Sequence, residues 1–137
     1  MGARDIEWRI GGSGGGAADG GRDIEARFFV PNTDGQIEAW RWWIECKGRS
    51  ATLEKDAVAT ACNNVLADKS VDCLVIATNT TFSNPTRDWV RQWQERFPTP
   101  QILLWDRASL ERMLAQQPAT VLRLFEGGCA RQRWRRL

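Results

Sequence analysis

The stretch Trp-Trp-Ile-Glu-Cys-Lys at positions 42–47 is typical of the end of a β-strand, and it decides the fold that we predict for this chain of 137 residues. Successive side chains of a strand point to opposite faces, so Glu45 and Lys47 share one face and Cys46 lies on the other. The stretch Asp-Ile-Glu-Ala at positions 23–26 shows the same alternation of charged and apolar residues. We therefore predict two strands that each have one charged face and one apolar face.

Between these two strands, the residues Pro-Asn-Thr-Asp-Gly at positions 31–35 form a cluster of turn formers. Such a cluster predicts a β-hairpin. A hairpin centred near Asp34 pairs residues whose numbers sum to about 68, which places Asp23 opposite Glu45. Opposed residues of an antiparallel pair have Cβ atoms about 4.5–5.5 Å apart. Two carboxylates at that separation can share one divalent cation.

The remaining hydrophobic pattern predicts an α/β domain in which helices alternate with strands. Apolar residues recur at helical spacing over 54–69, and Thr52 is the predicted N-cap of this helix. Residues 72–78 form an apolar run, as in a strand that is buried on both faces. The further predicted elements are strands at 5–10, 22–29, 36–47 and 101–105 and helices at 83–97, 108–114 and 120–125. The predicted fold is a mixed β-sheet flanked by helices, in which an antiparallel β-hairpin is followed by α-β-α-β.

Length and composition predict one domain over residues 1–125, with a flexible glycine-rich loop at 11–18 and a basic tail or linker to a further domain at 126–137. The four cysteines form no C-x-x-C pair and histidine is absent, which excludes the common zinc sites and histidine-based acid–base catalysis. A net charge of +2 is too small to bind nucleic acid by bulk charge. With no membrane-length apolar run and no secretory signal, the sequence predicts a cytoplasmic protein without a membrane partner.

Three other patterns leave alternatives open. The sequence Gly-Ser-Gly-Gly-Gly-Ala at positions 12–17 matches the glycine pattern of a dinucleotide-binding loop, although a strand follows it where that loop requires a helix. Arg49, Ser50 and Lys55 follow the charged strand and are either phosphate contacts or part of a solvated loop. Residues 79–84 follow the buried strand and are either part of a site or a helix-capping loop. Because of the glycine pattern, a nucleotide-binding domain is one alternative function.

The chain resembles the Mrr-type branch of the PD-(D/E)xK nuclease superfamily over roughly residues 6–114. The motifs that carry this resemblance are Gly-Gly-Arg-Asp-Ile at 20–24, Ile-Glu-Cys-Lys at 44–47, Leu-Val-Ile-Ala-Thr-Asn at 74–79 and Ile-Leu-Leu-Trp-Asp at 102–106. Their order along the chain is the order expected for that family. The resemblance implies a restriction-endonuclease-like fold.

The resemblance also implies the roles of the site residues. Asp23 and Glu45 correspond to carboxylates that bind Mg²⁺, and the backbone carbonyl of Cys46 corresponds to a further ligand. Lys47 corresponds to the lysine that positions or activates the attacking water, so the implied catalytic residues are Asp23, Glu45 and Lys47. The chemistry is consistent, because Mg²⁺ prefers oxygen ligands and an ammonium group stabilises the charge that develops on phosphate. Glu25, Asp19 and Glu7 are additional acidic candidates on or near the same face.

The implied function is a Mg²⁺-dependent endonuclease that hydrolyses DNA phosphodiester bonds by a metal-activated water, with Mn²⁺ as a substitute for Mg²⁺. The resemblance further implies an effector in defence against foreign DNA. Cleavage of both strands needs two active sites, which predicts a homo-oligomer. Family members usually carry a helix before the first strand, and this chain begins too late to include one, so either it is part of a larger protein or another segment takes the place of that helix. The resemblance implies an effector module with further domains of a larger protein. The alternative is a catalytically inactive module of the same fold that binds nucleic acid or a protein partner.

Overall fold

A five-stranded mixed sheet organises the computed structural model, which describes residues 3–8 and 23–123. The strands lie side by side in chain order: β1 (Ala3–Trp8), β2 (Ile24–Pro31), β3 (Ile37–Lys47), β4 (Cys73–Thr78) and β5 (Gln101–Trp105). The helices are α1 (Lys55–Leu66), α2 (Asn84–Arg96) and α3 (Arg107–Ala115), and residues 118–123 are also helical. This architecture confirms the predicted α/β class, with an antiparallel hairpin followed by α-β-α-β.

The register of the hairpin is the one predicted from its turn. β2 and β3 are antiparallel, and their pairs run from Ile24 opposite Ile44 to Pro31 opposite Ile37. Gly35 in the turn has a φ of 82°, a conformation that glycine adopts without steric cost. β3 pairs in parallel with β4 on its other side, so it is the central strand between an antiparallel and a parallel neighbour.

Helices α1 and α2 cover one face of the sheet and enclose its core. That core contains Trp43, Leu74, Ile76 and Ile102 from the strands and Val58, Ala61, Cys62, Val65, Val90 and Trp93 from the helices. Strand β4 is buried along its whole length, as its apolar sequence predicts. On the opposite face of β3, the ring of Trp42 packs on Phe28 with centroids 4.5 Å apart. The neighbouring tryptophans Trp42 and Trp43 therefore serve opposite faces of β3.

The N-cap of the first helix lies two residues after the predicted N-cap. The N-cap of α1 is Glu54, in an extended conformation and without a side-chain capping hydrogen bond, so the prediction of Thr52 is wrong. The cause is the intervening Leu53, whose N–H donates to the carbonyl of Thr81 (3.0 Å) and which forms a β-bridge with Phe82. That bridge keeps the chain extended at Leu53, so the helix can start only after this residue.

We expect Leu53→Ala to lower the free energy of unfolding by about 2–5 kcal/mol, since a buried leucine loses its packing and leaves a cavity. Leu53 is only 1% exposed and contributes to the core next to the strand that carries Glu45 and Lys47. Urea denaturation would measure the loss. Leu122, which is 62% exposed, gives the matched control: Leu122→Ala should change the stability by less than about 0.5 kcal/mol. Equal losses in both variants would contradict the role of Leu53.

The chain divides into two compact units, residues Met1–Asp106 and Arg107–Leu137. The first unit contains the whole sheet with α1 and α2, and the second contains α3, in which Arg107 Nε donates to Glu111 (2.7 Å). The predicted glycine-rich loop at 11–18 and basic tail at 126–137 lie outside the described residues. Within the described ranges, no helix has the length and apolar character needed to cross a bilayer.

Candidate active site

Asp23, Glu45 and Lys47 lie close together where β2 begins and β3 ends. Asp23 immediately precedes β2, and Glu45 and Lys47 are among the last three residues of β3. The Asp23 Oδ2 atom accepts a hydrogen bond from the backbone N–H of Cys46 (2.6 Å). Lys47 Nζ forms an ion pair with Glu45 Oε1. The residues that the sequence predicts for the site are therefore adjacent.

Asp23 contacts β3 through hydrogen bonds just beyond the last paired residues of the hairpin. Extension of the hairpin register would place Asp23 directly opposite Glu45. In the structure, the Asp23 N–H donates to the carbonyl of Ile44 (3.1 Å), and the ladder of paired residues ends at Ile24 opposite Ile44. The carboxylate then folds against the backbone of Cys46, so a side-chain hydrogen bond fixes the position of Asp23 at the open end of the hairpin.

Glu45 is a carboxylate in a largely desolvated position. It shares the face of β3 with Trp43, which α1 and α2 cover, and its side chain is only 7% exposed. Burial raises the pKa of Glu45, the hydrogen bond and charge of Lys47 oppose that rise, and the charge of Asp23 adds to it. Two neighbouring carboxylates with one ammonium group form a local excess of negative charge, which a cation would neutralise.

The donor atoms at this position fit Mg²⁺. The described residues include no group of three or more Asp, Glu, Cys or His side chains placed to hold a metal ion. Mg²⁺ does not need such a group, because it usually binds through one or two carboxylates and keeps several waters. Asp23 and Glu45 supply two carboxylates, and the Cys46 carbonyl is an oxygen of the same kind. Desolvation raises the pKa of the Cys46 thiol, as do the charges of Asp23 and Glu45, so the thiolate form is disfavoured.

Other acidic candidates have different surroundings. Glu25 forms an ion pair with Arg41 (2.8 Å) and lies opposite Glu7 in the sheet register. Glu7, Glu25, Arg27 and Arg41 contribute to a cleft of about 470 Å³. Among the described residues that line this cleft, none is Asp23, Glu45 or Lys47. The cleft is therefore a mixed-charge feature separate from those three residues. The candidate Asp19 lies outside the described residues.

The chain that follows Lys47 is held against the end of β4 by two successive side chains. Thr78 Oγ1 donates to the carbonyl of Lys47 (2.8 Å). The Asn79 amide accepts from the N–H of Arg49 (2.8 Å) and donates to the carbonyl of Arg49 (3.0 Å). For residues 79–84 the sequence indicates only a capping loop or part of a site. Ser83 does cap α2, because its Oγ accepts from the Thr86 N–H (3.2 Å), whereas Asn79 positions Arg49.

Comparison of the sequence with protein families gives a match. The family model Mrr_cat, described as restriction endonuclease, matches residues 5–114. This range contains most of the sheet, α1, α2 and nearly all of α3. Comparison with curated proteins and with solved structures gives no match.

Proposed function

The chain belongs to the Mrr_cat restriction endonuclease family, and from this premise we propose that it is a Mg²⁺-dependent endonuclease that hydrolyses phosphodiester bonds in DNA. The observation that carries the proposal is the meeting of Asp23, Glu45 and Lys47 at one end of the sheet. These residues form the Asp and Glu-x-Lys parts of the PD-(D/E)xK pattern. The alternation of β3 and the hydrogen bond from Cys46 to Asp23 give the pattern a physical basis.

Asp23, Glu45 and the carbonyl of Cys46 would hold the metal ion. When bound, Mg²⁺ polarises the phosphate and lowers the pKa of a coordinated water. Asp23 is oriented by its hydrogen bond to the Cys46 N–H, and Glu45 is oriented by its ion pair with Lys47. These two contacts orient the carboxylates before a cation binds.

Lys47 supplies the positive charge that phosphodiester hydrolysis needs. Negative charge accumulates on the phosphate oxygens during attack, and a fixed ammonium donor stabilises that charge more in the transition state than in the ground state. The ion pair with Glu45 holds Lys47 Nζ on the metal-binding face of β3. Because the sequence contains no histidine, we propose that Lys47 orients the attacking water and that no covalent intermediate forms.

We also propose an assembly and a biological setting for this nuclease. A nuclease with one such site per chain cuts one strand at a time, so we propose that a homo-oligomer cuts both strands of a duplex. We propose that the domain acts in the cytoplasm as an effector against foreign DNA, within a larger protein whose other domains recognise the target. Mn²⁺ should substitute for Mg²⁺, because both ions accept carboxylate and carbonyl oxygens.

Incubation of the purified protein with supercoiled plasmid tests the activity. We expect nicked or linear plasmid with Mg²⁺ or Mn²⁺, none with EDTA, and none for Glu45→Gln, which removes one carboxylate charge at nearly constant size. Cleavage that persists in EDTA would contradict metal dependence. DNA binding without cleavage under any metal, unchanged in Glu45→Gln, would favour the alternative of an inactive binding module.

A further inference from the structure

Two hydrogen bonds from one side chain to the backbone of Arg49 hold this residue beside the candidate site. It lies two residues after Lys47, and the Asn79 amide binds both its N–H and its carbonyl. Asn79 follows the fully buried strand β4. The backbone of Arg49 is therefore fixed at the same edge of the sheet as Lys47, while its side chain remains 37% exposed to solvent.

The guanidinium group of Arg49 already binds an anion, the carboxylate of Glu54. Arg49 Nη2 donates to Glu54 Oε1 (2.9 Å), and Nε lies 3.3 Å from Oε1 and 3.2 Å from Oε2. Nη1 donates to the carbonyl of Gly48 (2.9 Å). A fork of two N–H groups on one carboxylate is also the geometry by which arginine binds phosphate.

The Glu54 side chain does not cap the helix that it precedes. It is the N-cap residue of α1, yet its side chain makes no capping hydrogen bond. The pKa of Glu54 is lowered to about 2, chiefly by the hydrogen bond from Arg49, then by a backbone hydrogen bond, and less by the charges of Arg49 and Lys47. The position of the Glu54 carboxylate is therefore one where an anion is stabilised, chiefly by Arg49.

We propose that Arg49 binds a backbone phosphate next to the scissile one, and that Glu54 occupies Arg49 as an internal competitor until DNA displaces it. This inference rests on the proposed function, since it assumes that DNA crosses the edge of the sheet at Lys47. Exchange is feasible because the ion pair is exposed, and exposed pairs contribute little to stability. Arg49 is then a positioning residue that sets the register of the DNA backbone on the site.

Binding of a fluorescein-labelled duplex, measured by anisotropy in EDTA over a series of salt concentrations, tests the contact without cleavage. Arg49→Gln should weaken binding and reduce the slope of log K against log[salt] by about 0.9, the value for one phosphate contact. Glu54→Gln should tighten binding about two- to fivefold, the range for release of one exposed ion pair. In an Arg49→Gln background, most of that tightening should disappear, because the competition requires both partners.

Asp88→Asn provides the matched control. Asp88 also forms an exposed ion pair with an arginine, Arg91, at 2.8 Å, so the change in net charge is the same. Equal tightening by Asp88→Asn and Glu54→Gln, or an unchanged salt slope in Arg49→Gln, would overturn the proposal. If the wild type cleaves plasmid but the DNA affinities and the salt slope of the variants do not change as expected, the Arg49 contact alone is rejected. If these affinities and the slope change as expected but no cleavage occurs, the nuclease activity is rejected and the DNA contact is retained.

Discussion

Lys47→Ala is expected to lower the single-turnover rate of DNA cleavage by about 10²–10⁴-fold, the range for loss of one transition-state donor or proton-transfer group. Its affinity for Mg²⁺ should change little, because the ammonium group is not a metal ligand. This separation of binding from catalysis is the strongest test of the assigned roles, since Lys47 and Glu45 are in direct contact.

The measurement pairs a single-turnover cleavage assay with a Mg²⁺ titration by calorimetry. Lys69→Ala serves as the control, because Lys69 is an exposed lysine that precedes β4, at the opposite end of that strand from the neighbours of Lys47. It should behave like the wild type in both assays. If Lys47→Ala lost as much metal affinity as removal of a carboxylate, then Lys47 would act through the metal site and its catalytic role would be wrong.

Asp23→Asn should reduce the affinity for Mg²⁺ by at least about tenfold, since even the partners of metal ligands contribute about 10–100-fold, and it should abolish cleavage. The asparagine still offers an oxygen to the Cys46 N–H, so the fold at the start of β2 should persist. Asp23→Ala removes that oxygen as well and should cost a further 0.5–1.5 kcal/mol of stability, about the net value of one hydrogen bond.

Calorimetry with Mg²⁺ and urea denaturation of both variants separate the two roles of Asp23. Retained metal affinity in Asp23→Asn would remove Asp23 from the ligand set. Equal stability of the asparagine and alanine variants would show that the contact with Cys46 is not needed to hold β2 against β3.

Local sequence was sufficient to predict the hairpin and the adjacency of the site residues. The turn at 31–35 sets the register, and strand alternation then places Glu45 and Lys47 on one face, next to the start of β2. The family match to residues 5–114 agrees with the span estimated from the motifs. The identification of the ligands remains a prediction, because it comes from the motif pattern and the geometry alone.

The features that sequence could not give depend on contacts between distant segments. Thr52 has the chemistry of an N-cap, but the bridge between Leu53 and Phe82 moves the start of α1. Glu25 shares a face with Asp23, yet it pairs with Arg41, a residue of the opposing strand. The contact of Asn79 with Arg49 joins residues 30 positions apart, and no local pattern indicates it.

The position of β3 as the central strand has a consequence for how the protein meets its substrate. Its backbone is hydrogen-bonded to β2 on one side and to β4 on the other, so the segment that carries Glu45 and Lys47 belongs to the part of a sheet that opens last. Those side chains therefore lose their conformational entropy when the chain folds, and not when DNA binds. At the encounter with DNA, binding energy is not consumed in assembling a mobile loop, and more of it remains to align the scissile phosphate.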